Sequence, residues 1–363
     1  MIDIEKGMTI RVKHTAIGEI IRQRIVSGEY SARLPGIKEL SEEFAVNYKT
    51  IQKSLRLLKQ EGVLSLKPKQ GIIITNTHLC IGVVGLGDEH HVFQEDPYYS
   101  EIIKKVFMKV VKRGDIFSYQ EKRSDTPYDR LFKNNSAVNG LIIFSFSRKP
   151  EETLGMLKIM GKIPSIVIGS TSMGEKMNYV DSDNLAASKE GVCYLIRNGH
   201  RRIAFIGLSS HKYSSTSILR LQGYKNALKE NGIDYDSSLL ILEEQGGGNF
   251  EAAIKGLFQS SSAPTAIFGA DNVRTMKALG FLGESAGRLA VVVYDGFKNE
   301  LSRLGIPYGV IVQPLEEIGD TAITKLYELI EGKTAYPVGV EIKSKLLLEG
   351  SVSSSDGRLL NEL

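Results

Sequence analysis

From Leu79 onward the chain alternates short apolar runs of strand length with longer stretches of helical spacing, and this alternation constrains the fold more than any other feature. Ile81 to Gly85, Ile116 to Tyr119, Gly140 to Phe144, Ser165 to Ile168, Arg202 to Gly207, Leu239 to Leu242, Ala266 to Phe268 and Leu289 to Val293 read as strands. Tyr98 to Val111 reads as the first helix among them. Strands separated by helices pair in parallel, because each helical crossover carries the chain back to the edge it left. So many strands over about 270 residues suggest two doubly wound sheets.

The 363 residues exceed one ordinary domain and suit a small domain joined to a two-lobed large one. A hydrophobic fraction of 42% supports a packed core throughout. Cys80 and Cys193 exclude a disulfide scaffold or a thiolate metal site and read as small buried hydrophobes, since both sit in apolar runs. Met1 to Lys13 lacks the apolar segment of a secretory signal. The apolar stretch from Ile72 to Leu86 is interrupted by Asn76, His78 and two glycines, so a cytoplasmic protein with no membrane partner is expected. Gly82, Gly85 and Gly87 invite a nucleotide-loop reading, but His90 stands where G-x-G-x-x-G needs its last glycine, and no cofactor is expected.

Charge is unevenly divided. Residues 1–75 hold 13 Lys and Arg against 8 Asp and Glu, and the remainder 33 against 34. A small basic module on a neutral one suits a polyanion partner. Within it, His14 to Ser27 reads as a helix with Ile17, Ile20, Ile21 and Ile25 on one face, and Ile37, Leu40 and Phe44 mark a second. Asn47 is a natural N-cap for a third helix whose Ile51, Leu55 and Leu58 face inward. That helix is read as showing Tyr48, Lys49, Thr50, Gln52, Lys53 and Arg56 to water, a set of hydrogen-bonding and cationic side chains suited to the major groove. Val63 to Leu66 and Ile72 to Ile74 can pair around Lys67 to Gly71 as a basic wing.

The run "SGEYSARLPGIKELSEEFAVNYKTIQKSLRLLKQEGVLSLKPKQGIII" resembles the GntR type of winged helix-turn-helix throughout its length. The resemblance implies that Lys38, Asn47, Tyr48, Lys49, Thr50, Gln52 and Lys53 meet DNA, with Lys69 and Gln70 reaching from the wing. Arg is usual in the slots of Lys38 and Gln52, and Gly in those of Lys69 and Gln70. These departures bear on the target sequence more than on binding itself.

Residues 79–345 resemble the effector domain of LacI/GalR regulators, shaped like a periplasmic sugar-binding protein of type I. The stretch "YVDSDNLAASKEGVCYLIRNGHRRIAFIG" carries this most specifically, followed in order by "RLQGYKNAL", "PTAIFGADN", "VVVYDGF" and "VIVQPLEEIGDTA". By that resemblance Arg220 and Asp295 grip effector hydroxyls, donating and accepting respectively. Asp271 with Asn272 reverses the family's Asn-Asp order, so Asp271 would act as an acceptor only. Tyr98 and Tyr99 fall where the family has an aromatic pair, suited to stacking on a sugar, although plain core or surface tyrosines would read the same. Ser145 ends a strand at the carboxyl edge, where ligands of open α/β sheets gather. Gly199 to Arg202 reads as a structural loop, and His90 with His91 as a solvated one.

The expected organisation is therefore α/β: a winged helix-turn-helix at 1–77, an effector domain at 78–350 and a tail at 351–363. Lobe one is expected at about 78–181 and 296–313, and lobe two at about 182–295 and 314–350. Only Thr75 to His78 joins the two domains, where LacI-type regulators have a hinge helix. The combination resembles chimeric, sugar-responsive regulators of the arabinose-repressor class. It implies a repressor that binds an operator in double-stranded DNA as a homodimer and takes a sugar or sugar derivative between its lobes. A carbohydrate-binding or carbohydrate-active protein with an appended DNA-binding module is the alternative.

Overall fold

The computed structural model describes residues 10–26, 29–30, 32–67, 70–75, 78–86, 97–122, 138–145, 163–169, 177–209, 215–244, 248–295, 308–334 and 338–349. Helices α1 (Ile10–Val26), α2 (Ile37–Glu43) and α3 (Tyr48–Gln60) come first. Ile17, Ile21 and Ile25 of α1, Leu40 of α2, and Ile51, Leu55 and Leu58 of α3 close one core with Leu34, Val63, Leu64 and Ile72. Ile20 departs from the expected face and is 38% exposed, because the buried stripe of α1 runs at steps of four from Ile17 and leaves Ile20 on its flank. The Asn47 side chain caps α3 by accepting from the Thr50 backbone N–H at 2.9 Å. Strands β1 (Leu64–Lys67) and β2 (Gly71–Ile74) form the antiparallel wing, with Leu64 opposite Ile74 and Lys67 opposite Gly71.

Two six-stranded sheets follow. The first contains β3 (Cys80–Leu86), β4 (Ile116–Lys122), β5 (Gly140–Ser145), β6 (Ser165–Ile168), β7 (Tyr179–Ser182) and β13 (Gly339–Ile342). Its order is β13-β7-β6-β5-β3-β4, every pair parallel. The second contains β8 (Ile203–Leu208), β9 (Leu240–Glu243), β10 (Ala266–Gly269), β11 (Ala290–Tyr294), β12 (Tyr308–Val312) and β14 (Lys345–Glu349). Its order is β14-β12-β11-β10-β8-β9, parallel except for β14.

Helices α4 (Pro97–Arg113) and α9 (Leu315–Ile330) pack on the first sheet through Ile102, Val106, Val110, Ile318, Ile323 and Leu326. Helices α5 (Asn184–Arg197) and α6 (Ser215–Glu230) pack on one face of the second. Helices α7 (Phe250–Phe258) and α8 (Asn272–Leu282) pack on the other. Each fully buried side chain of the Leu, Ile or Phe size contributes roughly 1.5–3 kcal/mol. Cys80 and Cys193 are half-buried, not buried as expected, and burial pushes the Cys80 thiol pKa up.

The chain crosses between sheets three times: at 182–184, at 312–315 and at 342–345. This corrects the lobe limits drawn from the sequence. Strand β12, expected in lobe one, pairs with β11 in the second sheet. Helix α9 and strand β13, expected in lobe two, belong to the first, and only β14 returns. The reason is physical: a buried apolar strand such as Tyr308–Val312 fits the interior of either sheet, so its sequence does not say which it joins.

The third crossover is pinned by paired hydrogen bonds, Asp183 N–H to Ile342 O at 3.0 Å and Ser344 N–H to Asp183 Oδ1 at 2.8 Å. At Gly223 on α6 an added Cβ would lie 2.5 Å from the Leu185 carbonyl of α5. The missing side chain lets the two helices approach, and the same approach brings Arg220, one turn earlier, to the start of α5. The interdomain joint is tied on both sides: Thr75 N–H donates to Val63 O at 2.9 Å, and Leu79 N–H to Asp115 Oδ1 at 2.8 Å. Among the described residues, no helix is long and apolar enough to cross a membrane.

Candidate functional site

On the amino-terminal domain, Tyr48, Lys49, Gln52, Lys53 and Arg56 stand exposed along one face of α3, and Lys38 is exposed on α2. Gln52 Nε2 donates to the Tyr48 hydroxyl at 2.9 Å, which aligns both on the outer surface. Thr50 does not belong with them. It is 8% exposed, and its hydroxyl donates to Asn47 Oδ1 at 3.1 Å. With Ser54, whose hydroxyl donates to the His14 carbonyl at 2.7 Å, it forms the seam against α1. Asn47 is exposed with its Oδ1 engaged in capping, and Gln70 is exposed at the wing tip. Lys69, like His90 and His91, lies outside the described residues.

The larger domain gathers a second group at the carboxyl ends of its strands. Asp181 and Ser182 end β7, Ser145 ends β5, Asp271 follows β10, Asp295 follows β11 and Gln313 follows β12. Arg220, 9% exposed on α6, is the hub. Its Nε donates to Asn184 Oδ1 at 2.8 Å and its Nη1 to the Ala270 carbonyl at 2.7 Å. Its Nη2 lies 3.9 Å from Asp295 Oδ2, and its guanidinium sits 3.7 Å from the Tyr294 ring centroid. Asp295 adopts φ 56°, a left-handed turn that Asp tolerates, while its N–H still donates to Ile311 O at 3.0 Å. Gln313 Nε2 then donates to both Asp295 carboxylate oxygens at 2.8 Å, and Ser182 Oγ donates to Gln313 Oε1. This chain of bonds runs from a strand of one sheet to the end of a strand in the other. It is therefore sensitive to how the lobes are set.

Burial shapes the electrostatics. Asp181 is fully buried, and loss of hydration pushes its pKa up to about 7 despite the Ser182 N–H it accepts at 2.8 Å and the opposing pull of Arg220. Burial also raises Asp271, against the attraction of Arg274. Asp271 caps α8, its Oδ1 accepting from Arg274 N–H at 2.9 Å, so one of its oxygens is already engaged. Tyr98 feels Asp181, Asp295 and Arg220, and burial together with the Asp181 charge raises its hydroxyl pKa well above the ordinary value. Tyr99 is instead a core residue, 7% exposed and edge-on to Phe144 at 5.7 Å. The structure thus brings together Tyr98, Arg220, Asp271 and Asp295 of the expected set, and adds Asp181, Ser182, Asn184 and Gln313. Sequence reading passed over these because single polar residues at strand ends give no signal of convergence.

Fold and site define a DNA-binding transcription regulator controlled by a small effector. Residues 13–74 match the family described as bacterial regulatory proteins, gntR family, and residues 192–352 match the periplasmic binding protein-like domain. The chain joins these two modules. It is 27% identical over 305 residues to the HTH-type transcriptional regulator CelR of Thermobifida fusca, covering 82% of this chain and 87% of that one. It is also 27% identical over 276 residues to the HTH-type transcriptional repressor PurR of Yersinia pestis bv. Antiqua, covering 73% and 79%. In structure it is similar to the transcriptional regulator CelR–cellobiose complex, with a TM-score of 0.63 at 24% identity over 94% of this chain and 98% of that one. A regulatory protein of LacI family from Chloroflexus aggregans gives 0.61 at 22% identity, over 76% and 98%. The curated relatives named here are transcription regulators.

Proposed function

We propose that the chain is a repressor that binds DNA as a homodimer and is released by a sugar held between its two lobes. The observation that carries this reading is the bond chain from Arg220 through Asp295 and Gln313 to Ser182, which couples residues of both lobes at the strand ends. Arg220 supplies donors and a planar cation, and Asp295 supplies acceptors, the pairing that vicinal hydroxyls require. The cellobiose bound by the similar CelR supports a sugar as the ligand class. An effector that prefers one lobe setting shifts the population toward it, and the joint at 75–79, tied at both ends, transmits the change to α3.

Homodimer formation is supported by an apolar patch on lobe one. Phe107, Met108 and Val111 of α4, with Ile116 beside them, are 46–59% exposed. A homodimer carries two α3 helices, the number that a palindromic site requires.

The DNA half is tested with fragments that the full-length protein selects from a random library. Lys49→Ala lowers affinity for the selected site and reduces the slope of log affinity against log salt by about one, as one phosphate contact is lost. Gln52→Ala costs about 1–3 kcal/mol on the selected site and less on random DNA, the signature of a base contact. Unchanged affinity in both variants would contradict the placement of α3 in the groove.

A further inference from the structure

The cleft lies at the carboxyl ends of the strands, and the DNA-binding domain meets the first sheet at the opposite edge. There two side chains hold the backbone where the chain enters the sheet. Asp115 Oδ1 accepts from Leu79 N–H at 2.8 Å, and Asn139 Oδ1 accepts from Cys80 N–H at 2.8 Å. Backbone bonds close each pair, Ile116 N–H to Leu79 O at 2.7 Å and Asn139 N–H to Cys80 O at 2.8 Å. Asp115, its side chain 5% exposed, also accepts from the Tyr327 hydroxyl at 2.8 Å through Oδ2, which lies 3.3 Å from Arg113 Nε. The Arg113 guanidinium lies 4.1 Å from the Tyr327 ring centroid and donates to Glu331 at 2.6 Å. The chain leaving the DNA-binding domain is thereby fixed to the end of α9.

The DNA-binding domain itself rests on the same edge. A cavity of about 20 Å³, room for about one water, lies between Glu19, Arg22 and Gln23 of α1 and Asn139, Pro164 and Ile330. Ile330 ends α9 and is held tightly on β5: a Cβ added to Gly140 would lie 2.6 Å from its Cδ1. On the other side Arg22 is ion-paired with Glu61, the residue that closes α3, and its Nε lies 3.4 Å from Glu19. The contact therefore reaches α3 through one side chain. At its other end α9 begins beside the cleft, where Leu315 N–H donates to Gln313 O at 3.0 Å. Cleft and contact are thus joined by one helix about 24 Å long.

Building on the homodimer reading above, we propose that Asp115 and Asn139 are positioning residues for DNA recognition: with Ile330 they seat α1 on lobe one, and so fix the distance and angle between the two α3 helices of the dimer. A domain tied only by a short linker can swing, whereas one held at both linker and helix cannot. The seat acts on the direction of α3 and not by contact with DNA.

The test uses the full-length protein and the duplex it selects from the random library. Three further duplexes carry one base pair inserted at the centre, one removed, or a single half-site. One base pair turns the half-sites by about 35° relative to each other and shifts them by about 3.4 Å. In anisotropy titrations the wild-type protein loses at least about tenfold on the inserted and shortened duplexes, because seated helices cannot follow the turn and the second engagement is lost. Asp115→Ala frees the linker and Gln23→Trp forces bulk into the contact, and in each the loss falls to about threefold or less. Affinity for the single half-site and the slope against salt stay at wild type, which separates positioning from contact. Asp115→Ala removes two buried bonds, so Gln23→Trp, at an exposed position that leaves each core intact, carries the test if the first variant unfolds. Wild-type tolerance of the inserted base pair, or an undiminished loss in Gln23→Trp, would overturn the proposal and leave the homodimer reading standing. Selection of a site with one half only would overturn both.

Discussion

Arg220→Met lowers effector affinity at least about a hundredfold while leaving unliganded DNA binding within about twofold of wild type. The methionine keeps an apolar stem against Tyr294 but removes every donor, so Asn184 Oδ1 and the Ala270 carbonyl lose their partner and Asp295 loses its cation. Hydrogen bonds donated by a charged group are worth about 1.5–3 kcal/mol each, and about 2.8 kcal/mol corresponds to a hundredfold in binding. DNA affinity is spared because α3 draws its core from α1, α2 and the wing. Arg220→Lys serves as the charge control: it keeps the cation without the planar fork and recovers only part of the loss. Titration calorimetry with the ligand found by thermal shift measures both. Wild-type affinity in Arg220→Met would place the effector elsewhere.

Asp181→Asn stabilises the effector domain, and does so more at higher pH. The folded-state pKa of Asp181, about 7, lies above its ordinary value of 3.8, so between these values the folded protein holds the proton more tightly than the unfolded chain. Ionising this buried carboxyl therefore destabilises the fold progressively as pH rises from about 4, and fully above about 7. Asparagine carries no such penalty and can keep the Oδ1 acceptor for Ser182 N–H. The rise from 3.8 to about 7 sets a ceiling of about 4 kcal/mol on the gain at pH 8. Urea denaturation of both proteins at pH 5, 6, 7 and 8 should show the difference widening with pH. A constant or shrinking difference would mean that Asp181 ionises freely.

What the sequence disclosed, and what it hid, divides along physical lines. Local chemistry was legible: Asn47 before a run with Ile51, Leu55 and Leu58 is a cap and a buried stripe, and the structure has both. The alternation after Leu79 announced the two sheets, which are parallel but for β14 at one edge. Thr50 misled because its polarity suggested water, although steps of four to Ser54 and Leu58 place it on the inner stripe. The lobe limits were hidden because β12 carries no mark of which sheet it joins. At the cleft, Arg220 and Asp295 came through family resemblance. Asp181 and Gln313 did not, because their role arises only when strands distant in sequence end side by side.

The central claim, that a ligand in the lobe cleft governs DNA binding, is tested most directly by fluorescence anisotropy of full-length protein on a selected DNA site, with and without saturating ligand. Repression relieved by a sugar predicts at least about a tenfold loss of DNA affinity with ligand, and by thermodynamic reciprocity the same factor in ligand affinity when DNA is bound. Equal DNA affinity with and without saturating ligand would contradict the account.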